Sequence, residues 1–131
     1  MPVSWEIRGS LLILTLSGDC GDEVVAAIAR AVRHPDFPPG KAVLFDARLA
    51  TGHATSYDAQ RRAAQIVSLC SEGVARRCAI VVGTRPYQYG LARMTAAYLD
   101  FEGMEMQIFK AMEPAIDWLE RPAEQTRAAG G

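Results

Sequence analysis

Charge of one sign, long apolar runs and clustered metal ligands are all scarce in this chain. Its formal net charge is -1, and its adjacent basic pairs are Arg61-Arg62 and Arg76-Arg77. Nucleic-acid modules normally carry a basic patch, so no nucleic-acid partner is expected, and both pairs read as solvated helix or loop surface. The longest apolar run is the six residues from Val24 to Ala29, and the most strongly apolar is Leu11 to Leu14, with Leu16 beyond Thr15. Both are far too short to cross a bilayer, and they lack the basic leader and cleavage site of a secretory signal. A cytoplasmic protein without stable membrane insertion is the expectation. Cys20, Cys70 and Cys78 cannot all be paired, and none falls in a C-x-x-C unit. Reduced, mostly buried thiols follow. Two histidines and three cysteines without ligand spacing predict no metal. Gly18 and Gly21 lack a following G-x-x-G or lysine, so no phosphate cradle and no cofactor are expected.

What is present is the pattern of one α/β domain. The 131 residues suit a single core. Val3, Trp5 and Ile7 alternate with Ser4, Glu6 and Arg8, the period of a half-buried strand. Gly9-Ser10 supplies a tight turn, and Leu11 to Leu16 is apolar on both faces. Gly18 to Asp22 then opens a helix at Asp22-Glu23, with Val24, Ile28 and Val32 as its inner stripe and Val25 beside them. Pro35 stops it. Ala42 to Phe45 reads as a strand ending at Asp46, followed by a polar stretch from Arg48 to Thr55. A helix capped by Thr55 or Ser56 comes next, with Ala59, Ala63, Ile66 and Cys70 inward. Cys78 to Val82 is the next strand. The loop Thr84 to Gly90 leads into a helix whose stripe is Leu91, Met94, Tyr98 and Phe101. A short strand at Met106 to Phe109 and a helix from Glu113-Pro114 complete the pattern, with Ala115, Ile116 and Leu119 inward and Trp118 beside them.

The order β-β-α-β-α-β-α-β-α implies an antiparallel N-terminal hairpin followed by β-α units in a mixed, mostly parallel five-stranded sheet with about four helices. Residues 1–120 form the domain, and 121–131, which lose periodicity, are expected to be a flexible tail. Leu44, Phe45, Ile80 and Val81 are expected at the centre of the core. Several strands are apolar on both faces. Either some helices cross to the second face or a second subunit covers it.

Four segments resemble the SpoIIAA-like, STAS-related proteins: Trp5-Glu6-Ile7-Arg8-Gly9-Ser10-Leu11-Leu12, Val43-Leu44-Phe45-Asp46-Ala47-Arg48, Tyr89-Gly90-Leu91-Ala92-Arg93-Met94, and Phe109 through Leu119. The resemblance runs from about Val3 to Leu119. It implies a winding of β-α units with no metal and no catalytic constellation. In the anti-sigma factor antagonists of this group, the loop after the strand ending at Asp46 carries an Asp-Ser-Ser-Gly phosphorylation motif. Here Ala54-Thr55-Ser56-Tyr57 stands there, so hydroxyls remain at Thr55 and Ser56 while the acid and glycine are absent. Thr55 and Ser56 are thus the candidate phosphorylation positions, with a helix N-cap as the plainer role.

In a parallel sheet the loops Asp46 to Ser56 and Thr84 to Gly90 leave the same edge, where ligands usually sit. Asp46, Arg48, His53, Thr55, Ser56, Tyr57, Arg85, Tyr87, Gln88 and Tyr89 are the candidate lining of one shallow ligand or partner surface. The alternative is that Asp46 and Arg48 pair to brace a loop while the tyrosines pack their rings. Asp46, His53 and Ser56 can be written as a nucleophile set, but no nucleophile elbow or oxyanion loop accompanies them. The expected function is a non-catalytic regulatory or protein-interaction module with a possible small-ligand cleft. A small carrier of an apolar ligand or lipid is the second reading, and an enzyme the third. The expected partner is another protein or a second copy. Self-association would use the first strand as an open sheet edge or the helix entered at Gly90.

Overall fold

The computed structural model describes residues 3–21, 23–37, 40–51 and 55–121. Asp22, His53 and the expected tail from 122 onward lie outside them. The strands are β1 (Val3–Arg8), β2 (Leu11–Gly18), β3 (Lys41–Ala50), β4 (Val74–Val82) and β5 (Glu105–Phe109), in spatial order β1-β2-β3-β4-β5. β1 pairs antiparallel with β2, and every later pair is parallel. The helices are α1 (Glu23–Val32), α2 (Ser56–Ser68), α3 (Pro86–Phe101) and α4 (Met112–Glu120), with a 3-10 turn at Leu69–Glu72.

The hairpin forms where alternation and turn chemistry agree. Trp5 faces Leu14 and Ile7 faces Leu12, while Gly9 adopts φ 58° at the turn, a conformation that suits glycine. The buried Lys41 donates its Nζ proton to the Gly9 carbonyl, tying the turn to the start of β3.

Two apolar layers flank the sheet. Leu12, Leu14, Val43, Phe45 and Cys78 pack with Val24, Ile28, Ala63, Ile66 and Leu99 of α1, α2 and α3. On the other face Leu11, Ile13, Leu44, Ala79 and Val81 pack with Ala115 and Leu119 of α4. The second face is therefore covered by a crossing helix of the same chain. Arg77 anchors that helix: its guanidinium lies 4.2 Å from the Trp118 ring centroid and donates to the carbonyls of Trp118 (3.0 Å) and Arg121 (2.8 Å). The reading of Arg76-Arg77 as solvated surface is thus corrected at Arg77, which satisfies carbonyls at the helix C-terminus.

Three further expectations are corrected. β3 continues past Asp46 to Ala50. Its register slips between Thr15↔Asp46 and Ser17↔Leu49, so Ala47 and Arg48 together oppose Leu16 as a bulge. The inner face of α3 is Gln88, Ala92, Thr95 and Leu99. Leu91 and Tyr98 are half-buried, Met94 is exposed, and Phe101 is 93% exposed. Large apolar side chains occur all round this helix, so they set the wrong phase, and the true inner face is small or polar. Finally, Leu44, Phe45 and Val81 are buried as expected, but Ile80 is only half-buried, because it stands in the wall of a cavity.

Candidate functional site

On the face covered by α1, α2 and α3, a cavity of about 260 Å³ opens near the C-terminal ends of the parallel strands. Its walls are built by three features of the chain. β2 ends at Gly18, and the turn through Asp19, Cys20 and Gly21 carries the chain over the cavity into α1. β3 contributes Phe45, Ala47 and, past the bulge, Ala50, while β4 contributes Ile80 and Val82. The small inner residues of α3, Ala92 and Thr95, leave the space that larger ones would fill. The lining is mainly apolar. An apolar cavity of about 150 Å³ admits benzene, so this one has room for roughly ten non-hydrogen atoms on the same scale.

Polar side chains enter this wall at Asp19, Cys20, Asp58, Arg61, Arg62, Gln88 and Thr95. The Thr95 hydroxyl donates to the Leu91 carbonyl at 3.0 Å and so is satisfied within its own helix. Burial pushes the Cys20 thiol above its ordinary pKa, and its contact with the Ser17 carbonyl is 3.6 Å. It is a neutral thiol, not a nucleophilic thiolate. Cys78 is deeper and is raised further by burial. Gln88, 9% exposed, accepts the Gly83 N–H through Oε1 at 3.3 Å, and its Nε2 has no partner. Arg61 and Arg62, expected as solvated surface, are half-buried and line the cavity.

The helix N-terminus beside the cavity is a closed unit. The Thr55 side chain accepts from the Asp58 N–H at 3.1 Å, and Asp58 Oδ2 accepts from Thr55 N–H and Oγ1, each at 3.0 Å. This is a capping box built on Thr55, with Ser56 exposed as the first residue of α2. These hydrogen bonds, together with Arg61, hold the Asp58 carboxyl below its ordinary range.

The candidate residues are distributed as follows. Asp46 sits beside Val81 on the α4 face, away from Phe45 and Ala47. Arg48 Nε donates to its Oδ1 and Nη2 to its Oδ2, both at 2.8 Å, and Arg48 N–H donates to Oδ1 at 3.3 Å. The bidentate guanidinium outweighs burial and holds the Asp46 carboxyl below the usual range. Thr55, Ser56, Tyr57, Arg85, Tyr87 and Tyr89 are exposed around the same edge, and none lines the cavity. Of the described loop residues singled out from sequence, Gln88 alone does. Cys20, Arg62, Leu91 and Thr95 were missed as lining. The one available signal was the Gly-Asp-Cys-Gly turn, whose two glycines let the chain bend closely over a sheet end.

Two predictions arise from this edge. Asp46 has a folded pKa below its unfolded value of about 3.9, so its contribution to stability is present above that pH and is lost as pH falls through the folded pKa. Asp46→Asn is expected to flatten the loss of stability below about pH 4. Parallel acid unfolding curves for the two proteins would contradict this. At Gly83 a Cβ would lie 3.0 Å from the Arg48 carbonyl oxygen of the bulge and 3.3 Å from Gln88 Oε1. Gly83→Ala is expected to cost about 1–3 kcal/mol and to shift the Gln88 side-chain amide resonances. An unchanged denaturant midpoint would show that the close approach is dispensable.

No helix among the described residues is long and apolar enough to cross a membrane, and no cluster of metal-ligating side chains occurs among them. No family model matches the chain, and no curated protein does. Among solved structures, the chain is similar to an uncharacterised DUF3478-family protein with a SpoIIAA-like fold from Shewanella loihica PV-4. The TM-score is 0.57 at 17% identity, and the match covers 89% of this chain and 91% of that one. At that identity the likeness speaks to the fold, and the chain has the SpoIIAA-like fold that its sequence segments implied.

Proposed function

We propose that this chain is a non-catalytic, STAS-like ligand-sensing module that takes one compact apolar molecule into the cavity beneath α2 and α3. The observation that carries the reading is the cavity itself: an apolar recess at the C-terminal strand edge, lined by Phe45, Ile80, Val82 and Leu91. Pockets with apolar walls and a few placed polar groups are the usual form of small-ligand sites. The size favours a sensor over a carrier of long lipids, since a long acyl chain exceeds roughly ten non-hydrogen atoms. The catalytic alternative loses support because Asp46 is engaged by Arg48 on the opposite face of the sheet. Occupancy would be transmitted through α2 and α3, whose outer surfaces carry the exposed Tyr57, Tyr87 and Tyr89.

The test is a titration of isotope-labelled protein with 1-hexanol, a neutral probe of the right size. Saturable amide shifts at Gly18–Gly21, Val82 and Leu91–Thr95 are expected, with Kd of about 0.1–1 mM for a ligand this small. Shifts that grow linearly without saturation, or that scatter over the surface, would sink the reading.

A partner surface remains part of the proposal. Among the described residues β1 pairs only with β2, which leaves its outer edge open. With α4 covering the second face, that edge is the argument for self-association, and its exposed Glu6 and Arg8 would permit specific pairing while discouraging indiscriminate pairing. A two-fold dimer is expected by light scattering over a dilution series. A particle that stays at 14.2 kDa at every concentration rules it out.

A further inference from the structure

We propose that the molecule this cavity selects is a compact apolar monocarboxylate, held by the Arg62 guanidinium and the Gln88 side-chain NH2, with its hydrocarbon part against Ile80 and Leu91. This deepens the ligand-sensing reading and rests on it.

The first observation is Gln88. Its side chain is nine-tenths buried, it lines the cavity, and its Nε2 has no hydrogen-bond partner. The amide cannot profitably be turned over, because the Gly83 N–H points at it and requires the oxygen there. What the residue offers the cavity is therefore a donor. A buried amide NH2 without an acceptor is costly; protein closes over this one in the structure, so a ligand oxygen relieves that cost once the neighbouring side chains part from Nε2.

Arg62 is the second, independent observation. It is half-buried in the same wall and makes no hydrogen bond or ion pair among the described residues. Its charge is felt at the neighbouring Cys20 thiol. By contrast the nearby acid is committed: Asp58 Oδ2 accepts two hydrogen bonds from Thr55, and Oδ1 lies 3.6 Å from Arg61. Cys20, being neutral, adds no negative charge. Among the described residues, Asp19, exposed where the cavity opens, is the carboxylate of the lining left to oppose an anion, and Glu23 at the start of α1 is also felt at Cys20.

The chemistry that answers a cationic guanidinium and an amide donor at the edge of an apolar recess is a carboxylate with a short hydrocarbon tail. Charge-assisted hydrogen bonds of this kind are roughly twice as strong as neutral ones. The volume limits the tail: hexanoate, with eight non-hydrogen atoms, fits within the roughly ten that the cavity admits.

The experiment compares hexanoate with 1-hexanol at neutral pH, by amide titration of the wild-type protein and of Arg62→Gln and Gln88→Glu. The wild type is expected to bind hexanoate about tenfold more tightly than hexanol. In Arg62→Gln the two affinities converge. Gln88→Glu keeps an acceptor for the Gly83 N–H but turns a carboxylate towards the ligand, and the preference is expected to invert. Hexanol binding in each variant reports that the cavity is intact. If the wild type binds hexanol and hexanoate equally, or if Arg62→Gln keeps the preference, the anion assignment is overturned while the ligand-sensing reading stands. If neither probe binds the wild type, both fall.

Discussion

Leu91→Trp is expected to remove saturable 1-hexanol binding, weakening it by more than about tenfold, while the protein remains folded. Leu91 stands half-buried in the cavity wall, on the first turns of α3. A larger ring at this position can turn into the recess, where it occupies the volume a ligand needs. Because that volume is already empty, the ring need not force neighbours off their rotamers, and the usual cost of overpacking, about 1–3 kcal/mol, should be small or offset by new apolar contact. Two readouts separate the possibilities. Lost binding with an unchanged or higher denaturant midpoint fits a filled site. Retained binding at wild-type affinity would place the ligand elsewhere.

The second large effect lies on the other side of the sheet. Leu44→Ala is expected to cost about 2–5 kcal/mol in unfolding free energy, whereas Ile80→Ala should cost only about 1–2 kcal/mol. Leu44 is 0% exposed, sits between Ile13 and Ala79 in the register, and packs in the layer closed by α4. Truncating it opens a new void in a dry layer. Ile80 projects to the opposite face and borders space that exists already, so the same change enlarges a cavity instead of creating one. Denaturant midpoints measured at constant slope would show the difference. Equal costs would mean that Ile80 is as fully packed as Leu44 and that the cavity closes in solution.

The strands were legible because each carries a signal that does not depend on distant partners. The alternation of Val3, Trp5 and Ile7, the turn at Gly9, and the short apolar runs at Val43–Phe45 and Cys78–Val82 all reappear as sheet, in the expected pairing. What failed depended on information spread across the fold. The phase of α3 could not be read from its large side chains, because its inner face meets a cavity and is built from Gln88, Ala92 and Thr95. Arg62 and Arg77 looked like surface because arginine is usually solvated. Here Arg77 is held by the carbonyls of Trp118 and Arg121, and Arg62 stands in the cavity wall. The extension of β3 beyond Asp46 was hidden by the polar Arg48, which a bulge accommodates.

The edge of the sheet singled out from sequence is where the cavity opens, yet the cavity lies beneath that edge. Exposed polar residues drew attention to the loop surface, whereas the recess is bounded by the apolar and small side chains under it. Gln88 belongs to both descriptions. It sits in the loop-to-helix segment that sequence pointed to, and it is a buried residue of the cavity lining whose amide NH2 is unpaired.

The most direct test of the ligand-sensing account is to locate a bound probe by intermolecular nuclear Overhauser effects between 1-hexanol and the methyl groups of the protein. The account predicts contacts from the alcohol's hydrocarbon chain to Ile80, Val82, Leu91 and Ala92, the residues that line the recess under α2 and α3. Contacts confined instead to Ala96, Ala97 and Ile108, in the shallow groove between α3 and β5, would contradict it.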